Sequence, residues 1–258
     1  MKALEINNLS FKYKDLDKLI LDDLSFSISK NEFVTIIAPS GTGKSTLFRL
    51  ILGLLEPNKG NIKIDNVQAK NIIGYMPQKD CLMPWRNILD NTSIGLELNG
   101  YSKREARKEA ARYFESFNLQ GTEKYYPHEL SGGMRQRVSF LRAIVNKPSL
   151  LLLDEPFSSL DALTRHKMQE WLLDLCEREK NTVFMITHDI EEALLLSDRI
   201  LIATKLPYKN LRSIDVNIKR PRTYETTLSS EFIELKRTIL SILDNVDQDK
   251  EEKRHEEV

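Results

Sequence analysis

The run Phe33-Val-Thr-Ile-Ile37, followed by Ala38-Pro-Ser-Gly-Thr-Gly-Lys-Ser-Thr46, constrains this chain more than any other feature. Five strand-favouring residues without polar alternation suit a strand covered on both faces. After the turn, Leu47, Leu50, Ile51 and Leu54 recur at helical spacing and give one apolar face. Gly53 is expected to interrupt that helix and Pro57 to end it. A strand, a glycine-rich turn and a helix in this order make a phosphate-binding loop. Phosphate oxygens need closely packed donors, and backbone N–H groups supply them only where side chains stay away, as at Gly41 and Gly43. Lys44 adds a point charge for the β- and γ-phosphates, and the Ser45 hydroxyl suits Mg²⁺, a hard cation that prefers oxygen. The expected nucleotide contacts are Pro39, Ser40, Gly41, Thr42, Gly43, Lys44, Ser45 and Thr46. The usual pattern begins with glycine where this chain has Ala38. Either the local conformation differs or the position accepts a methyl group.

A second anion-binding segment is Leu130-Ser-Gly-Gly-Met-Arg-Gln-Arg137. It places Ser131, Gly132 and Gly133 ahead of a helical stretch, where free N–H groups and the helix dipole attract an anion. A nucleotide already held by the first loop has no obvious need of the second. Two copies placed head to tail would let each second segment cap the phosphate held by its partner. A third feature is Leu150-Leu-Leu-Leu-Asp154-Glu155, a buried strand with two acids at its carboxyl end, where open α/β sheets bind ligands. Asp154 is the candidate Mg²⁺ ligand and Glu155 the candidate base for an attacking water.

Together these segments resemble the nucleotide-binding subunit of an ATP-binding cassette (ABC) transporter, over roughly residues 2–220. The second segment corresponds to the family's LSGGQ signature, with Met134 at the fifth position. The resemblance implies an ATPase with ATP and Mg²⁺, and roles for residues that alone would be unremarkable. Gln78, in Tyr75-Met-Pro-Gln78, would reach Mg²⁺ and the attacking water. His188 would sense the γ-phosphate, ahead of an Asp189/Glu192 capping box. Ser158 and Asp161 would form the dimer-crossing D-loop, and Tyr13 would stack on adenine, although Phe11 is close by.

The implied fold is an α/β P-loop NTPase core. An antiparallel β layer is expected over residues 3–37, a helical subdomain at about 84–147, and core strands at 150–153, 183–186 and 200–203. The ATPase domain would occupy 1–220, with an amphipathic helix and a charged, frayed tail in 221–258; Phe232, Leu235, Ile239 and Ile242 mark the helix. Ala106, Ala110, Tyr113 and Phe117 share one helix face, opposite Lys103, Arg104, Arg107, Lys108 and Arg112. That basic face reads as solvated, with Glu105 and Glu109 interleaved. Lys+Arg and Asp+Glu balance at 38 each, so overall charge points to no nucleic-acid partner. Cys81 and Cys176 lack metal-type spacing and read as reduced thiols. The N-terminal residues carry no signal-type apolar run, and no stretch reaches the roughly 18 apolar residues of a membrane span.

The expected partners are a second cassette, integral-membrane permease subunits and, indirectly, a solute-binding protein, at the cytoplasmic face of the membrane. Lys79-Asp-Cys-Leu-Met-Pro-Trp85, the segment after Asp154, Lys219-Arg-Pro-Arg-Thr223 and the short C-terminal region resemble the nitrate, sulfonate and taurine importer group. Related members carry bicarbonate or thiamine-precursor pyrimidines. Leu82, Met83 and Trp85 would either line a groove for a permease helix or pack the helical subdomain. The rival classes are a soluble ABC ATPase unconnected with transport, a module that holds ATP without turning it over, and a single-cassette subunit for export or lipoprotein extraction.

Overall fold

The computed structural model describes residues 1–38, 43–65, 73–204 and 206–256, with side chains through Asp244. In chain order its elements are β1 (Lys2–Phe11), β2 (Leu21–Ser29), β3 (Phe33–Ile37), α1 (Lys44–Ile51), β4 (Lys59–Ile64), β5 (Ile73–Met76), α2 (Ile88–Leu98) and α3 (Lys103–Ala111). Then come α4 (Gly132–Ile144), β6 (Leu150–Asp154), α5 (Ala162–Glu179), β7 (Thr182–Thr187), α6 (Ile190–Leu196), β8 (Arg199–Ile202), β9 (Arg212–Asp215) and α7 (Ser230–Glu256). The chain divides into two units, Met1–Asp65 with Ile186–Val258, and Asn66–Met185.

In the first unit the alternating N-terminal runs form an antiparallel layer in the order β2-β1-β4. Leu4 and Ile6 are buried on β1, and then the buried face shifts to Leu9 and Phe11. A one-residue change of phase would normally turn a strand inside out. Here an irregularity in the β1–β2 register between Ile6 and Leu9 absorbs it. Asn8 sits there at φ 48°, and its amide donates to Asp23 Oδ1 at 2.8 Å. All five β3 residues are buried. β3 runs parallel to β8, and β8 antiparallel to β9.

Three sequence expectations need correction in this unit. Helix α1 stops at Ile51, because Gly53 turns left-handed at φ 70°. It therefore never reaches Pro57, and Leu54 is 68% exposed instead of joining the apolar face. The C-terminal helix is long, extending to Glu256, with Phe232 and Ile239 buried on its first turns. The capping box before α6 is rerouted. Asp189 caps the N–H groups of Glu191 and Glu192, while the Glu192 carboxylate accepts from the Thr187 hydroxyl at 2.8 Å. The Asp189 N–H donates to that same hydroxyl, so Thr187 links the two residues.

The far end of α6 is held by the Lys219–Thr223 motif. Arg222, only 4% exposed, donates to the carbonyls of Leu194, Ser197, Val216 and Ile218 at 2.6–3.0 Å. Burial, and then the neighbouring Arg220, pull its pKa down to about 10 against the pull of Asp198, so it stays charged at neutral pH. A cation suits the carbonyl-rich end of a helix.

In the second unit β5 and β6 are parallel, in the order β5-β6-β7. Leu150 to Leu153 are each at most 1% exposed, and burying each contributes about 1.5–3 kcal/mol. Leu96 of α2, Ala106 and Ala110 of α3, and Val145 form a local core with Leu89 and Tyr113 packed on it. Asp90 ties α2 to α3 by accepting from Arg107 Nε at 2.6 Å and Nη2 at 2.8 Å. Lys103, Arg104, Lys108 and Arg112 are exposed, so the basic face is largely solvated. Phe117 and Phe140 meet Trp171 of α5 edge-on at 4.4 and 5.8 Å. Cys81 and Cys176 form no disulfide. Among the described residues no helix is long and apolar enough to cross a membrane.

Candidate nucleotide site

In the first unit residues 38–43 separate β3 from α1. Pro39, Ser40, Gly41 and Thr42 lie outside the described residues. Gly43 adopts φ 80°, and a Cβ built on it would fall 2.4 Å from Ile20 Cγ2. Glycine is therefore required there by both conformation and space. Ala38 is not among the positive-φ residues, so its side chain sits on backbone that any residue can adopt. The Ala38 carbonyl receives a hydrogen bond from Lys44 Nζ at 2.8 Å. Ser45 is the second residue of α1. Thr46 Oγ1 lies 3.0 Å from the Tyr13 hydroxyl. Phe11 is 5% exposed and packs edge-on against Tyr13, so of the two aromatics only Tyr13 retains an accessible ring. His188 is exposed at the end of β7, directly before the α6 cap.

The second unit assembles the carboxylates. Asp154 ends β6 at 3% exposure, and Glu155 follows at 8%. Glu155 takes φ 50°, a conformation that costs a non-glycine residue about 1–3 kcal/mol and tends to persist at functional sites. Gln78 Nε2 donates to Glu155 Oε2 at 3.0 Å, so two residues singled out from distant segments meet directly. The Glu155 carbonyl accepts from the Ser158 N–H at 3.3 Å and from Ser158 Oγ at 3.0 Å. Asp161 caps α5, its Oδ1 accepting from the Thr164 N–H at 3.0 Å.

Ser131 caps α4 in the same way, accepting from the Met134 N–H at 3.3 Å. Met134 thus serves through its backbone, which the change from glutamine leaves intact. A Cβ on Gly132 would meet only Arg135 Nη2 at 3.9 Å, and one on Gly133 would make ordinary contacts with Leu160 and Ser159. Neither glycine is at positive φ. Packing among the described residues therefore does not demand glycine here, as it does at Gly43. An exposed helix start with bare backbone leaves room for something from outside the chain.

Gln136 escaped notice in the sequence. It is 4% exposed, its amide donates to the Glu155 carbonyl at 3.3 Å, and its oxygen accepts from the Ser159 N–H and hydroxyl. It joins the signature helix to the segment between Glu155 and Asp161. Leu82 and Met83 are half-buried, whereas Trp85 is 75% exposed and does not pack the helical subdomain. Asn91, fully buried, holds both backbone groups of Met83.

The Mg²⁺ donors named from sequence, Ser45, Gln78 and Asp154, are all oxygen donors of the kind a hard cation takes. Among the described residues no group of three or more His, Cys, Asp or Glu side chains could hold a metal.

The ABC transporter family model matches residues 21–158. The formylaminopyrimidine import ATP-binding protein of Halalkalibacterium halodurans is 48% identical, over 94% of this chain and 96% of its own. An aliphatic sulfonates import ATP-binding protein of Bacillus cereus is 40% identical, over 86% of this chain and 87% of its own. A dimeric ATP-binding cassette, solved in a post-hydrolysis state with ADP and phosphate, superposes with TM-score 0.76 at 30% identity, covering 84% of this chain and all of that one. The chain belongs to the ABC transporter family and is one of its ATP-hydrolysing, ATP-binding subunits.

Proposed function

We propose that this chain is the motor of an ABC importer, working as a head-to-tail pair at the cytoplasmic face of the membrane beside separate permease subunits. The observation that carries this is the Gln78–Glu155 hydrogen bond. It attaches the candidate base to the segment that also bears the exposed Trp85.

Lys44, with the N–H groups of its loop, binds the β- and γ-phosphates of ATP, and Tyr13 receives the adenine. Ser45, Gln78 and Asp154 would hold Mg²⁺, which when bound neutralises charge on the β- and γ-phosphates. Glu155 accepts a proton from the attacking water, and Gln78 orients the Glu155 carboxylate. A positioned base contributes about 10²–10⁴ in rate, or about 3–5 kcal/mol. His188 steadies the γ-phosphate. Ser131, Gly132 and Gly133 cap the nucleotide of the partner copy, and Ser158 and Asp161 line the same contact. ATP then acts as a ligand for the closed pair, and hydrolysis releases it. Leu82, Met83 and Trp85 receive a permease helix.

The solute belongs to the small organic or inorganic anions of the sulfonate, taurine and nitrate group, or to thiamine-precursor pyrimidines. The greater identity and coverage of the formylaminopyrimidine relative favour the second class. The solute itself is selected by a binding protein and a permease.

Glu155→Gln tests the core of this proposal. The variant should bind ATP normally, hydrolyse it at least about 100-fold more slowly and form a stable ATP-dependent dimer on size exclusion. Near-normal turnover removes Glu155 from the role of base.

A further inference from the structure

Helix α4 carries the signature at its N-terminus and grips the Gln78 segment along its side. Arg135 lies one residue beyond Ser131-Gly132-Gly133-Met134. Its Nε donates to Asp80 Oδ2 at 3.0 Å, and its Nη1 donates to the Leu130 carbonyl at 2.8 Å. Leu130 is buried and directly precedes the capping Ser131. One guanidinium therefore bridges the base of the anion-binding turn and the second residue after Gln78. Two turns further on, Arg142 donates Nη1 to the Cys81 carbonyl and Nη2 to the Asp80 carbonyl, each at 2.7 Å. Asp80 also orders the loop itself, because its Oδ1 accepts from the Leu82 N–H at 3.2 Å. Asn91 then fixes Met83, and its amide also donates to the Arg86 and Asn87 carbonyls at 2.9 and 3.1 Å.

The loop that carries the exposed Trp85 is thus joined to the signature turn by short polar contacts inside one unit. Hydrogen bonds to ionised groups are about twice as strong as neutral ones, and the planar guanidinium fixes direction as well as distance. Arg135 and Asp80 are each about one-third exposed, at 35% and 34% of their side chains, so their pair can be broken without opening the core.

We infer that Asp80 and Arg135 are positioning residues that couple the Leu82-Met83-Trp85 loop to the signature turn, and so to the nucleotide held by the partner copy. This rests on the head-to-tail arrangement proposed above. The link through Gln78 reaches the chain's own Glu155; the link through Arg135 reaches the other copy's nucleotide. One docking loop thereby addresses both sites of the pair.

Trp85 supplies the test, because Trp171→Phe leaves it as the only tryptophan of the two. In that background, acrylamide quenching of Trp85 is measured in the full chain with and without ATP in EDTA, and dimerisation is followed in parallel by size exclusion. The expected result is a nucleotide-dependent change in quenching that falls about threefold or more in Asp80→Asn and in Arg135→Met while dimers still form. The exchanged pair D80R/R135D should recover part of the response, because it restores the ion pair but not the bonds to Leu82 and Leu130; a merely structural loss would recover none. Loss of dimerisation in Asp80→Asn alone also supports the link, since Asp80 lies outside the nucleotide contacts. An undiminished response in both variants, or a Trp85 signal indifferent to dimerisation in the parent, overturns it. A Trp171→Phe parent that binds ATP but never dimerises refutes the head-to-tail arrangement instead.

Discussion

Gly43→Ala is the substitution whose cost can be worked most directly from the structure. Gly43 holds φ 80° and ψ 16°, and its carbonyl accepts from the Thr46 and Leu47 N–H groups at 3.0 and 3.3 Å, which starts α1. An alanine at positive φ costs about 1–2 kcal/mol from its own backbone. Its methyl would also fall 2.4 Å from Ile20 Cγ2, well inside contact distance. Ile20 branches at Cβ and has few rotamers with which to withdraw. Overpacking of this kind costs about 1–3 kcal/mol more, giving a loss of about 2–5 kcal/mol. At about 2–4 °C per kcal/mol for a chain of this size, the melting temperature should fall by about 4–20 °C. Adding Ile20→Ala removes the collision but not the backbone strain. A double-mutant cycle should therefore return about 1–3 kcal/mol of favourable coupling. ATP affinity, measured by calorimetry, should fall in Gly43→Ala and recover in part in the double variant. Stability of Gly43→Ala within about 0.5 kcal/mol of wild type, or strict additivity with Ile20→Ala, would refute the steric argument.

Gln136→Leu should lower kcat about 10- to 100-fold with little change in KM for ATP, because the Glu155 backbone loses a tether but the nucleotide contacts stay; steady-state kinetics decide it. The Asp90 carboxylate is held below its ordinary pKa, chiefly by its hydrogen bonds to Arg107. Its contribution to stability is therefore present above the ordinary carboxylate range and lost as pH falls through the lowered folded value. Urea midpoints of Asp90→Asn should accordingly drop less than those of wild type between neutral pH and about pH 3. Trp85→Ala should leave stability within about 0.5 kcal/mol, given its exposure, yet lose permease affinity in a pull-down.

The parts of the fold that reveal themselves in the residues are those with a backbone or periodic cause. Gly43 is required by a left-handed turn, and glycine in such a pattern is visible without coordinates. The unbroken leucines of β6 mark a strand buried on both faces. Ser131 ahead of two glycines marks a helix start. Features created by side chains meeting across the fold leave no such mark. Gln136 sits between two arginines and reads as part of a polar run, yet it is buried because both ends of its amide find backbone partners in the Glu155 segment. The capping box at Asp189 and Glu192 has the right spacing, but the Thr187 hydroxyl takes the place of a direct bond. Leu54 has the right period for the apolar face of α1 but follows a glycine that has already ended the helix. The α7 helix outlasts its apolar marks because Glu, Lys, Arg and Gln are good helix formers wherever a preceding turn has nucleated them.

The measurement that bears most directly on the importer proposal is affinity purification of tagged Glu155→Gln from its native membranes in the presence of ATP, with identification of what accompanies it. A multi-spanning permease, recovered with ATP and lost when Trp85→Ala is added, is the predicted result. Recovery of only soluble partners, ribosomes or DNA would leave the ATPase standing and contradict its place in transport.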